Sequence, residues 1–149
     1  MFRRRKRGAR AQAIGVSRGG RTTKIHALVD VLGRPLRLAL TPGNTSDIKG
    51  ADLLVPETVG MKRLIADRGY DANSLRATLR EQGTIPVIPG RRNRKRPIQY
   101  DERRYKDRWR VEAMFCRLKD FRRVATRYDK LARNYQSAVA LAAAIAFWL

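Results

Sequence analysis

A chain of 149 residues with 43% hydrophobic side chains has material for one packed domain, which excludes a disordered basic tail. Its 34 Lys and Arg against 13 Asp and Glu give a net charge of +21, so a polyanion is the expected partner and nucleic acid the commonest one. The single cysteine, Cys116, excludes a disulfide framework and a cysteine-based zinc site, and the apolar run 138–149 falls short of the roughly 20 residues of a membrane span.

Residues 1–21 hold eight Lys or Arg, four Gly and no acid, and read as a flexible basic arm that can lie along phosphates. Met1 to Arg7 lacks the apolar stretch of a secretory signal, so a cytoplasmic, nucleoid-associated protein with no membrane partner is expected. The folded domain is expected over 22–149. Residues 23–30 read as a strand, 31–35 as a turn around Gly33 and 36–41 as a second strand, which together make an antiparallel hairpin. Pro42-Gly43-Asn44 is expected to break that strand, and Ser46 or Asp47 to cap a short helix through Leu54. A short buried strand, Leu64-Ile65-Ala66, ends in Asp67. A helix over 73–82 stops at Gly83, and Ile85 to Pro89 forms a third apolar run whose prolines suit an edge position.

The loop 90–100 carries Arg91, Arg92, Arg94, Lys95 and Arg96, a dense cationic segment suited to DNA. One long helix is expected over 103–124 and a last one over 134–149. Strands and helices in this order form an α/β fold with a mixed sheet.

On the long helix Val111, Met114, Phe115, Leu118 and Phe121 share an arc of roughly 120°, the face that packs on the sheet. Tyr105, Arg108, Glu112 and Lys119 share a second arc of roughly 60° along its edge. Glu112 is therefore expected at the rim of the core and partly desolvated. Asp67 closes a strand, where α/β sheets place reactive groups, and the two carboxylates together could ligate a hard cation. On spacing alone Glu112 reads as an intrahelical partner of Arg108, and Asp67 as a turn cap or a partner of Arg68. Asp47 and Asp71 read as helix-start residues, and His26 as a packed or hydrogen-bonded histidine.

The blocks Gly19 to Ala27, Ala66 to Asp71 and Pro89 to Arg96, with the spacing Tyr105-x2-Arg108-x3-Glu112-x6-Lys119, resemble the IS5-type insertion-sequence transposases of the DDE superfamily. The resemblance runs from about Gly15 to Leu149. It implies an RNase H-like core and a transposase that cleaves phosphodiesters at the ends of an insertion sequence and transfers the strand to target DNA. Asp67 and Glu112 are implied as catalytic acids and ligands of Mg²⁺ or Mn²⁺. Tyr105, Arg108, Lys119 and the cations from Arg91 to Arg96 are implied as DNA contacts, and a homo-oligomer on DNA is expected.

The first acid of that family would lie upstream of Gly19-Gly20, and no Asp or Glu precedes Asp30. Asp30 itself closes its strand and reads as part of the hairpin. The implied core is therefore truncated at its N-terminus, lacking the first strand. Such a chain would be inactive alone, as the downstream part of a split or truncated enzyme with an upstream transposase half as partner. The alternative is a non-catalytic DNA-binding fragment that regulates transposition.

Overall fold

The computed structural model describes residues 8–149, and residues 1–7 of the expected arm lie outside the described residues. The rest of that arm holds a strand, β1 (Gly15–Ser17), paired antiparallel with β2 (Gly20–Val29) through Gly15↔Thr22 and Ser17↔Gly20. The two intervening residues form a tight reversal, and Gly20 takes the positive φ (94°) that such hairpins favour. Glycine in this segment therefore serves a turn.

The expected hairpin of β2 and β3 (Pro35–Pro42) is present, with His26 opposite Ala39. The second strand ends at Pro42, the first residue of the expected break Pro42-Gly43-Asn44. Gly33 (φ 79°) reverses the chain, and Asp30 Oδ1 accepts the N–H groups of Leu32 and Arg34, each at 2.9 Å. The outer edge of β3 is covered by the last helix, α6 (Ala132–Phe147). Gln136 donates to the Leu38 carbonyl at 3.3 Å and Trp148, just beyond α6, to that of Pro35 at 3.1 Å, which blunts an edge open to strand pairing.

After the short helix α1 (Asp47–Ala51), β4 (Arg63–Ile65) and β5 (Ile85–Val87) pair in parallel. Parallel pairing requires a crossover, which α2 (Asn73–Glu81) supplies before Gly83 (φ 83°) ends it. Asp67 stands just past the C-terminal end of β4. The strands do not join into the single mixed sheet expected. They form a three-stranded antiparallel sheet and a separate two-stranded parallel one. Along Thr23–Val29 the edge of β2 turned away from β3 makes no backbone hydrogen bond among the described residues.

The helix expected over 103–124 is divided into α3 (Glu102–Tyr105), a 3-10 turn (Lys106–Arg108), α4 (Trp109–Lys119) and α5 (Arg122–Ala125). Phe121 breaks it by taking an extended backbone (ψ 113°), which lets its ring join the core. No proline or glycine announces either interruption. The apolar arc packs as its spacing requires: Met114 and Leu118 are fully buried, with Val111, Phe115 and Phe121 against them. This core joins α4, α5 and α6 to the β2–β3 hairpin. A second core, Ala51, Leu75, Leu79 and Ile88, binds α1 and α2 to the parallel strands. No helix of the described residues is long and apolar enough to cross a membrane.

Candidate functional site

Between the two cores lies a cavity of about 460 Å³. Ile25, Ala27 and Val29 of β2 and Leu64 and Ile65 of β4 form apolar walls, and Asp67 and Glu112 both line it. The two acids come from different elements: the end of a parallel strand and the first turn of α4. Their meeting at one cavity follows from how β4 and α4 are placed by the two cores, which no local pattern dictates.

Each carboxylate also has a local partner. Asp67 Oδ1 accepts the Gly69 N–H at 2.9 Å, capping the short turn Arg68–Tyr70, and no other hydrogen bond to it forms among the described residues. Glu112 pairs with Arg108 Nη2 at 2.7 Å, and its side chain is 58% exposed, so it lies further into solvent than the rim position expected. An exposed i, i+4 pair of this kind contributes little to stability, about 0.3–0.5 kcal/mol, so Glu112 can exchange its partner at low cost. Among the described residues no group of three or more His, Cys, Asp or Glu is close enough to hold a metal ion. Two carboxylates on one cavity supply the hard oxygen donors that Mg²⁺ or Mn²⁺ prefers, but they are an incomplete set. Asp30 also lines the cavity, yet its carboxylate is occupied by the hairpin turn and by Arg34 Nε at 2.8 Å.

The four-residue stripe is only partly brought to this space. Arg108 lines the cavity beside Glu112, whereas Tyr105 and Lys119 do not. The 3-10 turn winds its three residues at about 120° each, which rotates Tyr105 by roughly 60° off the stripe. Its ring packs edge-on against Tyr100, centroids 5.5 Å apart. Lys119 is exposed at the far end of α4, about 10 Å along the axis from Glu112.

The basic loop stands differently from the row of free cations expected. Arg92, Lys95 and Arg96 are exposed, and Arg91 reaches the Gly69 carbonyl at 3.4 Å. Arg94 turns inward and forks onto Asp71 with two bonds of 2.7 Å. Asp71 is no helix-start residue, since Ala72 holds that position. Its side chain is 1% exposed and lies between Arg94 and the buried Arg76. Arg94, the Arg91 N–H and Arg76 hold its carboxyl well below the usual carboxylate range, against the opposing effect of burial. One signal for this cluster was present in the sequence. Arg76 falls within about 60° of Leu79 on α2, so a cation sits on the buried face and requires a buried counter-charge.

A third cluster supports the turn that carries Asp67. His26 is buried, with Nε2 2.7 Å from Thr41 Oγ1 and Nδ1 3.4 Å from the Tyr70 hydroxyl. Burial, then the charges of Asp47 and Asp67, push the Tyr70 phenol up to about 12, so it stays protonated. Asp47 starts α1 and pairs with Lys24 at 3.0 Å. Burial lowers the His26 pKa below 6.5, the effect of Asp47 opposing and that of Lys24 adding. A depressed folded value means that only the unfolded chain takes up this proton just below pH 6.5. Stability should therefore decline as pH falls from 6.5 to the folded value, and level off beneath it. Urea midpoints across this range should show that slope in the wild type and lose it in His26→Gln; an equal slope in both would assign it elsewhere.

The family described as the transposase DDE domain matches residues 3–147. A Brucella ovis protein named as a transposase for insertion sequence element IS6501 is 39% identical over 132 residues, covering 86% of this chain and 98% of that protein. A Burkholderia cepacia protein named as a transposase for insertion sequence element IS402 is 31% identical over 137 residues, covering 85% of this chain and 63% of that protein. No solved structure matches this chain.

Proposed function

This chain belongs to the transposase DDE-domain family, and from that premise we propose that it supplies the second and third acids of a metal-dependent DNA transposition site. The observation that carries the proposal is the cavity that Asp67 and Glu112 line together, one from a strand end and one from a helix. These two side chains would hold a Mg²⁺ or Mn²⁺ ion, which activates an attacking oxygen and stabilises a leaving one. Arg108, now paired with Glu112, would orient a phosphate beside that carboxylate. Arg92, Lys95 and Arg96 contact the DNA backbone, Arg91 reaches it from the Asp67 turn, and Tyr105 and Lys119 bind phosphates further along the duplex. The reaction is phosphodiester cleavage at the ends of an insertion sequence followed by strand transfer, carried out by a homo-oligomer on DNA.

The remaining acid comes from a further transposase segment, a strand laid into the apolar space between β2 and β4. The unpaired edge of β2 and the apolar lining of the cavity favour such an occupant. The chain alone is then inactive. With a strand bearing an aspartate fused upstream, Mg²⁺-dependent nicking of terminal-repeat DNA should appear. Asp67→Ala or Glu112→Ala should each lower it at least about hundredfold. Nicking that persists in both variants defeats the assignment.

A second reading, a DNA-binding regulator of transposition without chemistry, is favoured by the local partners that both carboxylates already have. It predicts salt-steep DNA binding that both substitutions leave intact, and no nicking in any fusion.

A further inference from the structure

No helix or strand covers residues 88–101, so the basic loop is not held by secondary structure of its own. One carboxylate holds it. Asp71 accepts the Arg91 N–H at 2.7 Å, Arg94 Nε and Nη2 at 2.7 Å each, and Arg76 Nε and Nη2 at 3.1 and 3.0 Å. Arg76 also donates to the Ile88 carbonyl at 2.7 Å, tying down the chain just as it leaves β5. Arg94 reaches Asn73 at 2.8 Å, so the loop is fastened to the start of α2 as well. Finally, Arg91 Nη2 lies 3.4 Å from the carbonyl of Gly69, whose N–H donates to the capping Asp67 Oδ1. The candidate catalytic carboxylate, the turn after it, Asp71 and the loop are thus one hydrogen-bonded unit.

We propose that Asp71 is the positioning residue of the DNA-contacting loop: it folds residues 91–96 against the turn carrying Asp67, uses Arg94 as an internal strut, and leaves Arg92, Lys95 and Arg96 as phosphate contacts in fixed register with that carboxylate. The inference rests on the DNA reading above. It assigns opposite roles to two adjacent-looking cations, since Arg92 is exposed while Arg94 spends its guanidinium on Asp71 and Asn73. It also reverses an electrostatic expectation. Asp71→Asn makes the chain one charge more positive, which by charge alone strengthens DNA binding. Loss of positioning weakens it.

The test uses the full chain, a short duplex whose binding is followed by fluorescence anisotropy at several salt concentrations, and limited trypsin cleavage followed at the Lys95–Arg96 bond, which every variant retains. Asp71→Asn and Arg94→Gln should each speed cleavage within 91–96 and weaken duplex binding about tenfold. Arg92→Gln, with the same charge change as Arg94→Gln, should leave loop cleavage as in the wild type, reduce the salt slope by about 1 and cost only about threefold. If Asp71→Asn does not fold, the contrast between Arg94→Gln and Arg92→Gln decides, because Arg94→Gln keeps the buried Arg76–Asp71 pair. Asp71→Asn binding as tightly as the wild type, or Arg94→Gln no weaker than Arg92→Gln, overturns this inference alone. A wild-type chain that binds no duplex overturns the DNA reading, and this inference with it.

Discussion

Asp71→Ala is expected to destabilise the domain by about 3–5 kcal/mol, because it leaves Arg76 buried without a counter-charge. The side chain of Arg76 is 3% exposed, and its remaining hydrogen bond, to the Ile88 carbonyl, does not neutralise a cation. Arg94 has the easier escape, since its guanidinium can swing to solvent. The penalty therefore belongs to Arg76, and Asp71→Ala combined with Arg76→Leu should recover most of the loss. Urea unfolding of the two variants checks this: a cost below about 1 kcal/mol for the single change would mean that the guanidinium finds water, and that the cluster is not sealed.

The same carboxylate sets the acid limit. Its folded pKa lies below the ordinary 3.8, so its contribution is complete above pH 3.8 and is lost as pH falls through the folded value. The wild type should lose stability in that acid range more steeply than Asp71→Ala.

Gly50→Ala is the second large effect, expected at about 2–4 kcal/mol. A methyl group on Gly50 would occupy the place of the His26 imidazole, in contact with all three of its Cε1, Nδ1 and Nε2 atoms. The ring cannot swing away cheaply, being 3% exposed and bonded to Thr41 and Tyr70. Displacing it orphans the Thr41 hydroxyl in the interior and loosens the turn behind Asp67. Adding His26→Ala to Gly50→Ala removes the ring that clashes, so the double variant should lose clearly less than the sum of the two single losses. Strict additivity in urea unfolding would show that the two residues do not compete for the space.

Much of this molecule was legible from neighbouring residues. The β2–β3 hairpin followed from apolar alternation and Gly33, α2 from its spacing and Gly83, and the buried arc of Met114 and Leu118 from helical periodicity. Two features misled for stated reasons. Gly15 to Gly20 looked like flexible basic chain, because a three-residue strand carries too few side chains to declare an alternation. The stretch 103–124 looked continuous because its breaks lie at residues with ordinary helix propensity, and the change at Phe121 is driven by burial of its ring.

The candidate site divides in the same way. Asp67 stood out by closing a strand and Glu112 by its place in the Tyr105-x2-Arg108-x3-Glu112-x6-Lys119 spacing, and both line one cavity. Asp71 did not stand out, because a carboxylate before a helix has the form of a cap. Its five hydrogen bonds come from residues 5 to 23 positions further along the chain.

Composition and short-range pattern by themselves determined the charge, the β2–β3 hairpin, the helix over 73–82, the buried arc of α4 and the acids available for chemistry. Those properties depend on turn stereochemistry and on periodicities that a few consecutive residues complete. Only the tertiary structure decided that the strands form two sheets with a cavity between them, that Tyr105 and Lys119 stand apart from Arg108 and Glu112, and that Arg94 serves the fold. Each of these is settled by competition between distant groups for burial and for a charged partner, and the energy of such a contact exists only once the chain has brought the groups together.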